Sequence, residues 1–373
     1  MLALNSTKSF INIIFLIASL FIFFSCNNNE QPREKKVQDT IVEPAAAVVE
    51  PSDEENEGNQ INYDETKVLR EVFVLSRAGT EIKQQADKNA KTLGKYEYGA
   101  KLEVIEDTKD WLGVRDRITR EYSKNGNNIE STAWEKVYVL KNATGSINEV
   151  ALVPADLNII SLLTVNGKTE NIENGKELKR FLKIELVDKA LFESKRNSAV
   201  NYLLADTNNV KKKNGVIELK CQAKIKRYTD KPDAEEDRQV YKYEGQIGFL
   251  NQYLIGGSYY ESSDYIFVDK SSGEQTQSFG DFPNISPDKK YILAIYANPY
   301  ETTADLELYA ITDRKIKSVM SASFKNWMPN IEPGDMFWSS DTYLYVAVNH
   351  AKSFWKQDGN LNDVGQYIRI KVL

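Results

Sequence analysis

The stretch Ser286-Pro287-Asp288-Lys289-Lys290-Tyr291-Ile292-Leu293-Ala294-Ile295-Tyr296 decides how the second half of the chain is read. A polar Ser-Pro-Asp turn runs directly into an apolar segment, and Leu306-Glu307-Leu308-Tyr309-Ala310-Ile311 supplies a second strand shortly after. The same order recurs downstream. Ser339-Ser340-Asp341-Thr342 precedes Tyr343-Leu344-Tyr345-Val346-Ala347-Val348, and Gln366-Tyr367-Ile368-Arg369-Ile370-Lys371-Val372 follows. Upstream, Tyr265-Ile266-Phe267-Val268-Asp269 meets the turn Lys270-Ser271-Ser272-Gly273-Glu274. Apolar strands punctuated by Asp, Ser and Gly predict antiparallel pairs, with a last strand that locks the end of the chain into a sheet.

Working back from these units, Val216–Tyr228 reads as one long strand or a bent pair, and Val240–Tyr253 as a pair with bends at Gly245 and Gly248. Leu182–Leu186 alternates with Lys183 and Glu185 as a strand does, although Leu178–Phe192 also fits a helix. Asn158–Val165 has no clean alternation and fits a strand or the end of a helix, while Asn166-Gly167 is a hairpin turn. The Ser-Pro-Asp-x-x-Tyr units resemble degenerate β-propeller blades. About 220 residues hold at most five short blades, so two architectures stay open: a small propeller, or a non-closed antiparallel sheet or sandwich.

Between Val68 and Leu140 the strands are shorter. Ala90-Lys91-Thr92-Leu93-Gly94, Tyr98-Gly99-Ala100-Lys101-Leu102-Glu103-Val104-Ile105 and Asp110-Trp111-Leu112-Gly113-Val114-Arg115 resemble a bacterial SH3 domain, which implies a small β-barrel with Leu102, Val104 and Trp111 inside. Gly99 serves the turn into the strand, where a residue without Cβ is cheapest. Trp134, Val137 and Leu140 match the family's terminal strand, with Ala133 where Gly is usual. The segment Asp116–Thr132 is longer than the family's hairpin, and Leu75-Ser76-Arg77-Ala78-Gly79 only approximates its opening. The resemblance implies a cell-wall or protein contact, or a spacer role.

The N-terminus supplies location. Phe10–Phe24 is nearly wholly apolar, about the length of a secretion-signal core and short for a membrane span. Ser25-Cys26 after it resembles the lipobox of bacterial lipoproteins, with Phe23 and Phe24 where Leu and a small residue are more usual. The resemblance implies cleavage before Cys26, lipidation (palmitate included) of Cys26, and an envelope protein anchored on the outer membrane. Residues 27 to about 60, with Asn27-Asn28-Asn29, Pro44 and the acidic run Asp53-Glu54-Glu55-Asn56-Glu57, read as a tether. The expected organisation is a signal over 1–25, a tether over 26–62, an SH3-like domain over 63–145 and a β-rich domain over 150–373. The fold class is all-β.

Composition excludes several classes. Of 373 residues 41% are hydrophobic and 27% charged, enough for sizeable cores and, with a mean hydropathy of -0.49, too polar for a polytopic membrane protein. A net charge of -6 argues against nucleic acid as a partner. Only Cys26 and Cys221 occur, so a lipidated Cys26 leaves no disulfide; Cys221 shares the apolar face of Ile217 and Leu219 and reads as a structural thiol. With His350 the only histidine, His-dependent triads and most zinc sites are excluded.

What remains is binding. Trp327 and Trp338, in Phe324–Pro329 and Pro333–Trp338, form a candidate aromatic shelf with Tyr300; the opposing role for both rings is to pack the last sheets together. Trp111 and Trp134 carry the same two readings, core residue or groove wall. Asp264, Asp269, Asp281, Asp288, Asp305, Asp313, Asp335 and Asp341 read mainly as turn residues, and no calcium loop is present. The expected function is non-enzymatic binding of an envelope protein, a peptide or a peptidoglycan fragment, without cofactor or metal. A carboxylate-dependent hydrolase on an envelope glycan and a structural accessory subunit are the alternatives, the first favoured by acids in a deep pocket.

Overall fold

The first turn of the repeated units forms as its residues dictate. In the computed structural model the Ser286 hydroxyl donates to Asp288 (2.6 Å) and accepts the Tyr291 N–H (2.9 Å), while Lys289 turns through a φ of 59°. Its counterpart closes in the same way: Thr342 has a φ of 69° and Asp341 accepts the Tyr343 N–H. The structure describes residues 58–124, 127–330, 334–356, 358–362 and 364–373. The signal segment, Cys26, most of the tether and Pro333 lie outside the described residues.

The architecture is all-β, with several antiparallel sheets and, among the described residues, one α-helix, Lys189–Arg196. No helix among them is long and apolar enough to cross a membrane. The first sheet has the strand order Thr92–Tyr96, Thr80–Lys83, Asn127–Leu140, Trp111–Lys124, Lys101–Asp107, Arg70–Val74 and Thr144–Gly145. Val72, Val74, Leu102, Val104, Leu112, Val114, Val137 and Val139 alternate along its strands to make one core. Gly99 sits at a φ of 75° in the turn before Lys101. The polar segment beyond Asp116 lengthens the hairpin: strands Trp111–Lys124 and Asn127–Leu140 pair along their whole length. Glu135, buried, is held by Arg120 through two bonds of 2.7 Å. Residues 58–62, tether by composition, run beside this hairpin, with Ile61 N donating to Trp134 O (2.9 Å) and Lys136 N to Asn59 O (2.8 Å).

Past residue 150 four sheets lie in layers. Alternation within single strands gives the order. In Tyr291–Asn298, Leu293 and Ile295 face one core while Ile292 and Ala294 face another. In Leu344–His350, Leu344, Val346 and Val348 join the first of these cores, and Tyr345 and Ala347 pack against Phe192 of the helix. In Ser263–Asp269, Phe267 faces the second core and Ile266 and Val268 a third, which the hairpin Val216–Lys220/Ile225–Thr229 closes. Both faces of the three central sheets are therefore buried, and the apolar runs follow from that.

Two ambiguous segments are settled. Ile159–Val165 is a strand, paired through an Asn166-Gly167 turn (φ 51° and 73°) with Lys168–Glu177. Leu182–Val187 is a strand beside Gln366–Val372, and the helix follows it, capped by Asp188 accepting the Leu191 N–H at 2.7 Å. Gln366–Val372 is flanked on both sides, by that strand and by Leu344–His350. Val216–Tyr228 is a hairpin, not one strand.

Candidate functional site

The proposed aromatic shelf does not form. Trp327 is 0% exposed, its ring tilted against Phe324 with centroids 5.0 Å apart, and its Nε1–H is donated to Leu157 O (3.0 Å). Trp338 is 2% exposed and donates to Asn284 O (3.0 Å). Both rings lie in the core between the sheets of Tyr291–Asn298 and Leu344–His350, so packing is their role here and neither offers a face to a ligand. Tyr300, 77% exposed, stands without them. Trp111 is buried but does not join Leu102 and Val104: its strand turns Leu112 and Val114 into that core, and alternation puts Trp111 on the opposite face. Trp134 is half-buried, and its ring is taken up by the chain itself: Tyr63 lies 4.4 Å away, with the Arg115 guanidinium 3.9 Å over Tyr63. Cys221 is free and half-buried beside the Ile217 and Leu219 core, and burial pushes its thiol up, away from a reactive thiolate.

Most of the aspartates do what turns require. Asp269 accepts from Ser271 and Ser272 N–H, Asp288 from Lys290 N–H, and Asp305 holds Asn298 and Thr303. Asp281 is different. It follows strand Gln275–Phe279, its hydrogen bond comes from the next residue's N–H, Phe282, and among the described residues no cation pairs with it. Burial raises its pKa, only the Phe282 bond opposing. One residue earlier, Gly280 N donates to Glu307 (3.1 Å), a second half-buried carboxyl whose pKa rises for the same reason. Gly280 cannot be replaced freely, because a Cβ there would stand 2.4 Å from the Tyr296 ring.

Asp281 lines a cleft of about 560 Å³. Ala199, Val200, Tyr202 and Leu203 form one wall, Ile247 and Tyr265 another, and Phe282, Ile285, Met336 and Phe337 the remainder, with Asn201, Asn284 and Asn330 as polar members. The cleft sits where the layers meet: Ala199–Val200 pairs with Met336–Ser339, while Asn284–Ile285 belongs to the adjacent sheet. Burial beside Asp281 pushes the Tyr265 phenol up to about 12. The Tyr202 hydroxyl donates to Pro287 O (2.6 Å) and so ties its wall to the Ser-Pro-Asp turn. An apolar enclosure of this size with a few convergent polar groups has the character of a small-ligand site. Among the described residues no group of three or more His, Cys, Asp or Glu is placed to hold a metal ion. No protein-family model, curated protein or solved structure matches the chain.

The sequence reading missed this site because its walls come from five separated segments. Asp281 carried one weak signal, which Asp335 shares: it stands between Gly280 and Phe282-Pro283, without the neighbouring Ser or Thr of turns such as Asp269, Asp288 and Asp341.

Proposed function

We propose that the chain is a lipid-anchored envelope protein that binds an envelope protein, a peptide or a cell-wall fragment, and that it takes its ligand in the Asp281 cleft. The observation that carries this reading is a half-buried carboxyl that no cation pairs among the described residues, inside an apolar cleft. Such a group raises the free energy of the empty protein and is relieved by a ligand that satisfies it. The anchor rests on Ser25-Cys26 and its apolar leader. In this reading the first sheet is SH3-like, supported by the Gly99 turn and the Leu102/Val104 core, and acts as the spacer between tether and cleft. The layered sheets are an open, blade-like array.

The test is capture from solubilised envelope on immobilised full-length protein, with Ala199→Trp to fill the cleft from its exposed wall and Tyr300→Ala as the control. Ligand is retained by the wild type and the control and lost by the filled variant. Equal retention by all three contradicts the placement. A second reading, hydrolysis of an envelope glycan with Asp281 as a general acid, draws on the raised pKa of Asp281 and Glu307. It predicts turnover of muropeptide that Asp281→Asn abolishes.

A further inference from the structure

The cleft's polar groups differ in kind, and their balance narrows the ligand. Asn284 Nδ2 donates to Phe282 O (3.0 Å) and to Met336 Sδ (3.3 Å), so the atom it has left to offer is its carbonyl oxygen. Asp281 offers carboxylate oxygens beyond the one held by Phe282 N–H. Tyr202 spends its hydroxyl hydrogen on Pro287 O. Asn201 is the reverse: its Oδ1 accepts the Leu203 N–H, which leaves its amide N–H groups as donors. What singles out the cleft is therefore its one acid, which lacks a counter-charge among the described residues. Four aromatic rings, Tyr202, Tyr265, Phe282 and Phe337, contribute to the walls, with Tyr265 and Phe282 edge to face at 5.6 Å. Aromatic walls attract cations and apolar bodies alike, and they repel anions.

Building on the cleft as the binding site, we propose that it selects ligands carrying a primary ammonium or guanidinium group on an apolar body, with the cation seated against Asp281. Such a ligand completes the missing ion pair, donates to the Asp281 carboxylate and the Asn284 carbonyl oxygen, and fills the apolar volume. A lysine or arginine side chain or a free amino terminus meets this description on a peptide, and an amine-bearing stem peptide meets it on a wall fragment. An anionic ligand would place like charge against Asp281 in a low-dielectric site.

The experiment is calorimetric titration of detergent-solubilised full-length protein with three probes of one shape: 4-phenylbutylamine, 4-phenylbutanol and 4-phenylbutyrate. The amine is expected to bind at least about ten-fold more tightly than the alcohol, and the carboxylate more weakly than either. Asp281→Asn is expected to erase the amine preference while keeping the alcohol's affinity, and Ala199→Trp to abolish all three. An alcohol or carboxylate that matches the amine on the wild type overturns the cation preference; if Ala199→Trp still abolishes binding, the cleft reading survives. A wild type that binds none of the three overturns the cation proposal, and envelope capture then decides the cleft by itself. Ranking the probes on the wild type needs no variant, so a poorly folded Asp281→Asn does not spare the proposal.

Discussion

His350 shows how a residue with no site around it still has a measurable role. Its ring lies edge-on to Tyr98 at 5.4 Å, and its Nδ1 accepts the Lys352 N–H (3.1 Å), which requires the neutral form at that nitrogen. Burial lowers its pKa from 6.5 to about 4, with Arg77 and Lys352 pressing the same way and Asp156 opposing. Because the folded pKa is the lower one, the unfolded chain takes the proton first. The stability that neutral His350 contributes is complete above pH 6.5, falls as pH drops toward 4, and amounts to about 3 kcal/mol over that range. His350→Asn, which keeps an acceptor without a titration, should flatten that part of the stability curve. Urea unfolding of both proteins between pH 7 and 4 measures the difference, and parallel curves would contradict the assignment. Trp327 and Tyr300 make a second pair. Trp327→Ala should cost about 3–5 kcal/mol as a core truncation, and Tyr300→Ala no more than about 0.5 kcal/mol. Similar small costs in denaturant titrations would return Trp327 to the surface.

At the scale of elements, the segment 58–62 beside Trp134, joined by an isolated bridge at Gln60–Glu135, is the feature that composition hid. Residues 58–62 hold no apolar period, yet their backbone pairs with the Asn127–Leu140 strand and delivers Tyr63 onto Trp134. Backbone hydrogen bonds are made by any sequence, so hydropathy has no purchase on them. Tyr63→Ala should shift Trp134 fluorescence to the red and cost about 1 kcal/mol, the worth of an exposed ring pair with its cation. An unchanged spectrum, read against a Trp134→Phe reference, would mean that the ring is covered by something else. The strands that extend the hairpin beyond Asp116 were opaque for a related reason: cross-strand Thr119–Thr132 and Arg120–Glu135 bonds hold them, and polar pairs leave no apolar period to follow. By contrast, Asn166-Gly167 and Ser286-Pro287-Asp288 were legible because each turn encodes its own backbone angles. Gly280 lies between these cases. Gly280→Ala should cost about 1–3 kcal/mol by pushing on Tyr296, and thermal unfolding checks it.

On the scale of the whole molecule, the described residues fall within one compact unit, Glu55–Leu373. The first sheet meets the layered sheets through Arg77, which pairs with Asp156 (2.8 Å) and lies 3.7 Å over Tyr98, and through Tyr98, bonded to Ala151 N and O. The all-β class was legible from alternation and turns. The order of the layers was not, because it depends on which face of each strand meets which neighbour, and a run such as Ile292–Ile295 is apolar on both. The cleft shares that fate, being made where Ala199–Leu203, Asp281–Ile285 and Met336–Phe337 come together. That this junction is the binding site is the central claim, and methyl NMR tests it most directly. Full-length protein labelled at Ile and Met methyls is titrated with the fraction of solubilised envelope that it retains. The account predicts shifts concentrated on Ile247, Ile285 and Met336, and their loss in Ala199→Trp. Shifts confined to Ile118 and Ile82 of the first sheet, with the cleft methyls unmoved, would contradict it.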